Sequence, residues 1–437
     1  MKQQSGMVTL LVTSMLLVGA LVLSLASYKN AYFLIKRANN DILTTKAHWA
    51  AEGGLECGFV ALKGTSSPED MVSSGNFPAE CQSLMDIDLS TSVSGSNYVL
   101  VSEVNDIASA ILSKTITLVT NGRSGSIQTG SNMYSHSSLT FYNPDPGELV
   151  GDGWECVAVR YKGEYSPNAS IVNMGLSSVT NPDPTFDNQG KDCKGSHKTN
   201  GTGQQALKSD FINDPDLSPF EDFFAVNDSE HDTVKTDKFD VVLSEVASPS
   251  GDLEYSGINH CGEAISKALA NGHTKIWVEG NCELEGTAFQ DLVRKSNQSD
   301  GVFLLVHDGM FSVYPEGVKD SDGNSLELKG LLFHYNFGND YDFQDWIGSK
   351  AYSQLNHTPS VFGDAVKTAS FYLHGALNIE GGVLLDAKHL DSTSGKYALQ
   401  NALLNDSFAM TYNGEYFKKF GSDSTTVNWV QGSWHDF

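Results

Sequence analysis

The chain of 437 residues is poor in several features that mark well-known protein classes. It has only 12 prolines, too few for a proline-rich linker protein, and its 41 glycines follow no collagen-like period. Lys and Arg number 28 against 53 Asp and Glu, and a surface with a net charge of −25 repels phosphate backbones. We therefore expect no nucleic-acid binding. Hydrophobic residues make up 40%, so the chain can bury a core, and its length allows two or three domains.

Motifs that carry enzyme chemistry or metal sites are also missing. The sequence contains no P-loop, no G-x-S-x-G and no H-E-x-x-H motif. Asp320 to Asn324 alternates oxygen-bearing side chains like part of a calcium loop, but Gly323 stands at the wrong place for an EF-hand, which favours a polar turn. We expect no cofactor and no metal. The many acidic residues leave open a carboxylate pair that cleaves polysaccharide, without indicating any particular pair.

The cysteines are widely spaced, and no two of them form a C-x-x-C pair. Their even number and wide gaps are typical of disulfides formed in an oxidising compartment. Several connectivities are open to six cysteines. We favour the sequential neighbours, because each pair would close a loop inside one expected domain: Cys57–Cys81, Cys156–Cys193 and Cys261–Cys282.

The N-terminal segment has no charged residue from Gly6 to Tyr28, a run of roughly twenty apolar residues that is long enough to cross a bilayer as a helix. Three interpretations compete. The first is a secretory signal peptide cut after Ala26, and the second is a simple membrane anchor. The third is a prepilin-type leader, cut before the apolar helix, which then stays on the protein. Only the third explains the short polar leader Lys2–Ser5 that ends in Gly6.

The helical pattern continues beyond the apolar run. Ile35, Ile42 and Trp49 repeat at intervals of seven, as on one face of an amphipathic helix. No proline occurs before Pro68, where the helix is expected to end. The pattern predicts one helix over about residues 7–62, roughly 80 Å long at 1.5 Å per residue. A cleaved signal peptide explains such a helix poorly.

This leader and helix, followed by Ala50-Ala51-Glu52-Gly53-Gly54-Leu55-Glu56, resemble the N-terminal region of PilX-type pilus assembly proteins, which are prepilin-like minor pilins of type IV pili. The resemblance covers about the first sixty residues. It implies cleavage after Gly6 by a prepilin peptidase and N-methylation of Met7. It also implies assembly with other pilins and minor pilins through a helix whose packing positions are Leu11, Ile35, Ile42, Trp49 and Glu52.

The same resemblance implies a location. The precursor is expected in the inner membrane with a periplasmic ectodomain, and the assembled protein in the pilus or at the cell surface, where a surface receptor is a further expected partner.

One position departs from the family pattern. Most pilins carry Glu five residues into the mature helix, where its charge meets a neighbouring N-terminal amine. In this sequence the position is occupied by Leu11. Prepilin-like proteins without this Glu are expected to prime assembly or to occupy the tip.

The rest of the chain is β-rich and loop-rich. Strands are predicted at Tyr98–Val101 and Ile111–Thr120, and a helix at Cys261–Asn271. We therefore expect an α+β protein in which a long N-terminal helix precedes a large disulfide-stapled β-rich ectodomain. The expected divisions are a leader at 1–6, the helix at 7–63, a β-rich module at 64–145, a loop-rich module at 146–255, and a glycine-rich β module at 256–437, either a β-solenoid or a β-sandwich.

Two functions remain open on these grounds. The first is a non-enzymatic minor pilin that joins or primes a type IV pilus through its helix and displays an acidic ectodomain, with adhesion as the expected use. The alternative is an anchored or secreted β-solenoid enzyme that acts on polysaccharide.

Overall fold

The structure is a computed structural model that describes residues 5–65, 68–83, 87–94, 97–105, 108–120, 124–177, 181–184, 186–356, 361–391, 394–421, 425–430, 433 and 435–436. Residues 1–4 of the expected leader lie outside the described residues. The chain forms two compact units. The helix unit consists of Met1–Val119 together with Thr425–Phe437, and the solenoid consists of Thr120–Ser424.

The first half of the chain combines one very long helix with short strands. In chain order its helices and strands are α1 (Ser5–Gly64), α2 (Pro68–Ser74), α3 (Ala79–Gln82), β1 (Ile87–Ser94), β2 (Asn97–Asn105), β3 (Ser109–Thr120), β4 (Ile127–Thr129), β5 (Asn132–Tyr142), β6 (Leu149–Val150), β7 (Gly153–Trp154), β8 (Val159–Tyr161), β9 (Tyr165–Pro167), β10 (Ser170–Asn173), β11 (Asn200–Thr202) and β12 (Phe211–Asn213).

The second half mixes helices and strands. Its elements are α4 (Pro219–Phe224), α5 (His231–Lys238), β13 (Val241–Glu245), β14 (Glu254–Tyr255), α6 (Cys261–Ala270), β15 (Lys275–Glu279), β16 (Cys282–Leu284), α7 (Gly286–Gln298), β17 (Val302–His307), β18 (Phe311–Val313), β19 (Val318–Lys319), β20 (Ser325–Leu326), β21 (Leu328–Gly338), α8 (Lys350–Leu355), β22 (Ala369–Asp391), β23 (Lys396–Leu399), β24 (Asn401–Tyr412), α9 (Gly414–Phe420), β25 (Thr425–Trp429) and β26 (His435–Asp436). Short 3-10 helices lie at Gly195–His197, Gln204–Ala206, Asp228–Glu230, Ile258–His260, Phe343–Trp346 and Gly363–Thr368.

In the helix unit, the C-terminal part of α1 packs on a five-stranded sheet with the strand order β1-β2-β3-β25, in which β26 also pairs with β3. The pairs β1–β2, β2–β3 and β3–β26 are antiparallel. Buried α1 residues recur every three or four positions and so form one face of the helix: Ala47, Ala51, Leu55, Phe59 and Leu62. Gly54 on the same side allows the sheet to approach closely, because a Cβ there would collide with the Ser102 side chain. The expected single long helix is therefore confirmed.

The chain leaves the helix unit at the end of β3 and returns to it at the start of β25, the neighbouring strand in the same sheet. The returning segment completes the core, since Val427 is buried there and Trp429 stacks on Phe59 with ring centroids 4.1 Å apart. The solenoid is therefore an insertion between two adjacent strands of the helix unit.

The solenoid is built from parallel strands that stack as successive rungs. One in-register ladder crosses eight strands, and all its residues point into the interior: Phe211, Val159, Ile127, Val383, Leu332, Leu304, Ile276 and Val241. At one corner, Gly330 and Gly381 have φ of 127° and 143°, and a Cβ on either would strike the backbone of the next rung. Glycine is required there by this close approach.

The order of the rungs differs from the order of the chain. The chain enters at β4, in the middle of the ladder, and runs through β8 to β12 at one end. Residues 214–240, which we call the crossover segment, then lead to β13 at the opposite end. From β13 the chain coils back through β15, β17 and β21 to β22, which lies beside β4.

Helix α4 of the crossover segment covers the outer face of these strands with aromatic side chains. Phe220 stacks on Tyr335 with ring centroids 4.0 Å apart, and Phe223 and Phe224 contact Phe303 at 5.6 and 6.2 Å. Helix α9 adds Phe417 and Phe420 to the same buried cluster. The strands are thus covered by apolar groups on both sides, as is usual for parallel sheets.

Three disulfides join sequential cysteines. They link α1 to α3 through Cys57–Cys81, two loop residues through Cys156–Cys193, and α6 to β16 through Cys261–Cys282. The Cα atoms lie 5.5, 5.5 and 5.1 Å apart, respectively. The α+β class, with a long helix before a disulfide-stapled β-rich region, is therefore confirmed.

The compact units do not follow the expected divisions at 145 and 255. Strands on both sides of each division pair in one sheet: β5 pairs along its length with β24 across both divisions, and β13 pairs with β15 across the division at 255. The parallel stack therefore begins at β4 rather than after residue 255, and residues 425–437 return to the helix unit. The physical reason is pairing between strands that are far apart in sequence, which local patterns do not record.

Candidate functional site

The first part of α1 has no covering partner among the described residues. Every residue from Met7 to Ile42 is exposed, and burial begins only at Ala47. By length and composition, this helix is long and apolar enough to cross a membrane. Such a continuous apolar surface marks a place where lipid or other protein covers the chain.

Two hydroxyl groups within this apolar stretch, those of Thr13 and Ser14, are satisfied by the helix itself. The Thr13 hydroxyl donates to the Thr9 carbonyl oxygen at 2.9 Å, and the Ser14 hydroxyl donates to the Leu11 carbonyl oxygen at 2.9 Å. Side chains bonded in this way leave no unpaired donor facing an apolar environment. The stretch is therefore chemically suited to hydrocarbon or to a bundle of helices.

The residues of the expected processing site lie at the start of this surface. Gly6 and Met7 are in the first turn of α1 and Leu11 is in the second, and both Met7 and Leu11 are exposed apolar residues. No carboxylate takes the place of Leu11, since the chain from Met7 to Ser27 is uncharged. The structure brings these three positions together at one end of a single helix.

The expected packing residues form a stripe on α1. Ile35, Ile42 and Trp49 are exposed at 68, 54 and 67%. With about 100° per residue, they lie on the side of α1 opposite the face that Ala47 and Leu55 bury against the sheet. This apolar stripe is therefore available to a further helix.

Two further residues define the edge and the end of this stripe. Glu52 is half-buried beside the stripe, so it lies at its edge. Val60 is not among the packing residues expected from the sequence, although it is exposed and extends the stripe by three turns beyond Trp49. A signal was present, because Val60 lies eleven residues, or about three turns, after Trp49. The apolar stripe, here Ile35, Ile42, Trp49 and Val60, thus runs to the end of α1.

A polar cluster on the outer face of the solenoid contains carboxylates with strongly shifted pKa values. Glu279 accepts hydrogen bonds from Lys235 Nζ at 2.7 Å, Trp277 Nε1 at 2.9 Å and His307 Nδ1 at 2.8 Å. Burial alone would raise the pKa of Glu279, but the hydrogen bonds and charges of His307 and Lys235 lower it to about 2. Glu279 is therefore a paired carboxylate anion, poorly suited to donate or accept a proton near neutral pH.

Two further carboxylates, Asp228 in the crossover segment and Asp386 in β22, join this segment to the strands. Tyr335 Oη donates to Asp228 Oδ1 at 3.0 Å, and Lys388 Nζ donates to the same carboxylate. The backbone N–H of Phe220 donates to Asp386 Oδ2 at 3.1 Å. Burial raises the pKa of Asp386 to about 6, although the Lys388 charge opposes the shift. These groups hold the crossover segment to the strands, and the arrangement is that of a structural clamp.

The segment Asp320–Asn324, which resembles part of a calcium loop, is stabilised by hydrogen bonds within its own turn. Asp320 accepts hydrogen bonds from the backbone N–H groups of Asp322 and Asn324 and from Asn324 Nδ2, in the turn between β19 and β20. Its carboxylate therefore stabilises the turn that the sequence favours. In the part of the chain that the structure describes, no group of three His, Cys, Asp or Glu side chains is placed to hold a metal ion.

Comparisons with known proteins do not identify a family for this chain. No protein-family model matches the chain, and no curated protein matches it. Among solved structures, the chain is similar to the crystal structure of the competence-associated pilin ComZ from Thermus thermophilus, with 9% identity over 80% of this chain and 83% of that chain and a TM-score of 0.21. So low a TM-score carries no argument, and the function has to be inferred from this chain's own residues.

Proposed function

We propose that this protein is a minor pilin of a type IV pilus system, related to the PilX-type proteins that its N-terminus resembles. A prepilin peptidase cuts after Gly6, Met7 is N-methylated, and α1 holds the precursor in the inner membrane with its ectodomain in the periplasm. The assembled protein is then part of the pilus or the cell surface. The observation that carries this proposal is the uncovered length of α1, Met7–Ile42, which continues without a break into the folded helix unit.

The apolar stripe supports assembly with other pilins. A helix whose one face is buried by its own sheet and whose opposite face is apolar and exposed has a free surface for a second helix. Ile42 and Trp49 provide large apolar side chains on that free surface. We infer that this stripe packs against the helices of neighbouring pilins.

Leu11 supports a place at the tip. A carboxylate at this position would need the amine of an earlier subunit as its partner in the apolar bundle. With Leu11 the subunit lacks that attraction, while its Met7 amine remains free to attract the Glu of a subunit that enters behind it. Such a subunit is suited to come first, so we propose that it primes assembly and displays the solenoid at the tip, for adhesion to a surface receptor.

A non-enzymatic role is part of the proposal. Two carboxylates of the solenoid with strongly shifted pKa values, Glu279 and Asp386, are bonded to the crossover segment, so they serve the fold. The parallel solenoid is compatible with both candidates, so it does not separate the minor pilin from the alternative of a polysaccharide-active enzyme.

Replacing Gly6 tests the processing step. We expect Gly6→Leu to leave a full-length precursor in the membrane and to abolish incorporation into pili, because the peptidase admits no side chain at that position. Immunoblots of membranes and sheared pili measure both. Gly19→Leu is the matched control for cleavage, since a Cβ at Gly19 meets nothing within 4 Å, and it should be cut normally. Normal processing of the Gly6 variant would contradict the proposal.

Labelling the solenoid tests the position in the fibre. Ser407 is exposed on β24, so Ser407→Cys provides a site for a thiol-reactive gold or fluorescent label. We expect label at pilus tips, in one or a few copies per fibre. Regular decoration along the shaft would contradict the tip position and would still be compatible with membership of the pilus.

A further inference from the structure

A group of cationic and aromatic side chains follows directly after the apolar run of α1. Its aromatic rings are well exposed, and two of its cations lie over them: Lys29 Nζ is 6.0 Å from the centre of the Phe33 ring, and Lys36 Nζ is 5.3 Å from the centre of the Tyr32 ring. We call this group the cation–aromatic patch, and its members are Tyr28, Lys29, Tyr32, Phe33, Lys36 and Arg37.

The cation–aromatic patch occupies one side of the helix. With about 100° per residue, positions 28, 32 and 36 form one row and positions 29, 33 and 37 form the next, and together they cover about half of the circumference. Ile35 and Ile42 of the apolar stripe lie on the other half. The patch and the stripe are thus separate surfaces of the same helix.

The charge of the patch is of one sign. Lys29, Lys36 and Arg37 lie within nine residues, and the first acidic residue of the chain is Asp41. The chain as a whole carries a net charge of −25, so this positive segment is exceptional in the molecule. Its charge is complementary to an anionic surface.

The position of the patch along the helix identifies that surface. The uncharged stretch Met7–Ser27 is about 31 Å long at 1.5 Å per residue, which matches the hydrocarbon core of a bilayer at about 30 Å. Residues that follow such a span lie at headgroup level, where Tyr and Trp are enriched and where Lys and Arg meet lipid phosphates. The patch therefore lies at the depth of the headgroups.

We propose that the cation–aromatic patch binds the anionic headgroups of the leaflet from which α1 emerges; this inference rests on the membrane anchoring of the proposed function. The contact would also fix the rotation of the helix. The patch lies on the same side of α1 as Ala47 and Ala51, which are buried against the sheet. Headgroups bound there leave the apolar stripe facing away from them, toward a neighbouring helix.

The test compares lipid preference in the full-length protein. Wild-type protein and the Lys29→Gln/Lys36→Gln/Arg37→Gln variant are placed in nanodiscs of phosphatidylcholine mixed with phosphatidylglycerol. Electron paramagnetic resonance of spin-labelled lipids then gives the preference of the protein for phosphatidylglycerol over phosphatidylcholine. We expect the wild-type preference to weaken with salt and to fall by up to about fivefold for each cation removed, the factor that corresponds to ~1 kcal/mol per charge.

A second triple variant controls for net charge. Lys267→Gln/Lys367→Gln/Lys418→Gln removes three exposed cations of the solenoid, each of which makes a surface ion pair of little energetic value. This control should keep the wild-type lipid preference. Equal loss in both variants would overturn the proposal, because overall charge and not the patch would then set the preference.

Three further outcomes are informative. If the patch variant keeps its lipid preference but no longer enters pili, the patch binds an acidic partner subunit, and the lipid proposal is overturned. If neither the wild-type protein nor either variant inserts into nanodiscs, membrane anchoring by α1 fails, which overturns the proposed function and this inference together. A protein that inserts but shows no preference for phosphatidylglycerol overturns the inference alone.

Discussion

The two units of this protein differ in how they cover apolar surface. The solenoid fills its interior with stacked rungs and also covers an outer face with its own helices, which bring Phe220, Phe223 and Phe417 onto the strands. The helix unit buries only the last part of α1 and leaves Met7–Ile42 exposed. The solenoid is therefore complete as a fold, whereas the helix unit has to be completed from outside. The proposed assembly with other pilins therefore depends on α1.

The largest effect on stability is expected for Phe303→Ala in the solenoid. Phe303 is 1% exposed and contacts Phe223, Phe239 and Phe420 in the outer aromatic cluster. Truncation of such a residue removes about 3–5 kcal/mol from the free energy of unfolding. Differential scanning calorimetry should show a lower transition temperature for the solenoid and an unchanged transition for the helix unit.

A matched variant sharpens this comparison. Phe33→Ala removes the same side chain from α1, where it is 56% exposed, and should leave both transitions within about 0.5 kcal/mol of wild type. If Phe303→Ala also lowered the transition of the helix unit, the two units would unfold as one, and the comparison between them would be wrong.

The next effect is expected for Leu55→Ala in α1. Leu55 is fully buried between α1 and the sheet, so its truncation should destabilise the helix unit by about 2–5 kcal/mol. Leu34→Ala, in the exposed part of the same helix, should have no such effect in detergent. Urea titration followed by circular dichroism measures both. Equal losses would show that the exposed part is also held by contacts within the chain.

The disulfide that staples α1 is expected to contribute a smaller amount. Cys57–Cys81 closes a loop with a sequence separation of 24, for which the chain-entropy model gives about 3 kcal/mol. The Cys57→Ser/Cys81→Ser variant should therefore destabilise the helix unit by about this amount. Cys156→Ser/Cys193→Ser should act on the solenoid instead. Peptide mapping without reduction that found free thiols in the wild type would contradict the pairing.

The clamp on the crossover segment predicts a pH dependence that belongs to the solenoid. The pKa of Glu279 is lowered to about 2 in the folded protein, so the stability that it contributes is present above its unfolded value of 4.5 and is lost as the pH falls from 4.5 toward 2. The pKa of Asp386 is raised to about 6, so its contribution increases as the pH falls from about 6 toward 3.8.

Two variants separate these contributions. Glu279→Gln should remove part of the loss of solenoid stability below pH 4.5, and Asp386→Asn should remove part of the gain between pH 6 and 3.8. Denaturant midpoints of the solenoid, measured across this pH range, provide the test. Parallel pH profiles of wild type and Glu279→Gln would show that Glu279 does not hold the crossover segment through its charge.

The helix unit could be predicted from the sequence in large part. The absence of proline before Pro68 and the interval of seven between Ile35, Ile42 and Trp49 predict a single helix, because an α-helix repeats its faces on that scale. The cation–aromatic patch is also visible in the sequence, as a cluster of basic and aromatic residues directly after an uncharged span. Both patterns involve residues that are close together in the sequence, so they can be recognised without knowledge of the tertiary structure.

The solenoid could be predicted only in outline. Strands such as β8 and β9 have three residues each, too few to show an alternation of apolar and polar positions. The pairing of β5 with β24 joins Asn132 to Asn401, a separation of 269 residues. The clamp was missed for the same reason: Glu279, His307 and Tyr335 are neighbours only once three rungs are placed in register.

The smallest effect on stability, and the most informative for function, is expected for Trp49→Ala. Trp49 is 67% exposed on the apolar stripe, so its removal creates no cavity within the chain, and the free energy of unfolding of the helix unit should change by less than about 0.5 kcal/mol. In a pilus, however, the ring would be buried by a neighbouring helix, and large aromatic residues often carry much of the binding energy of an interface. We therefore expect a stable variant that is processed normally but enters pili poorly, as measured by its amount in sheared fibres. Thr44→Ala, an exposed position on the side of α1 away from the stripe, is the control. Normal incorporation of the Trp49 variant would show that the stripe does not form the contact with other pilins, and that α1 assembles through its first, uncharged part alone.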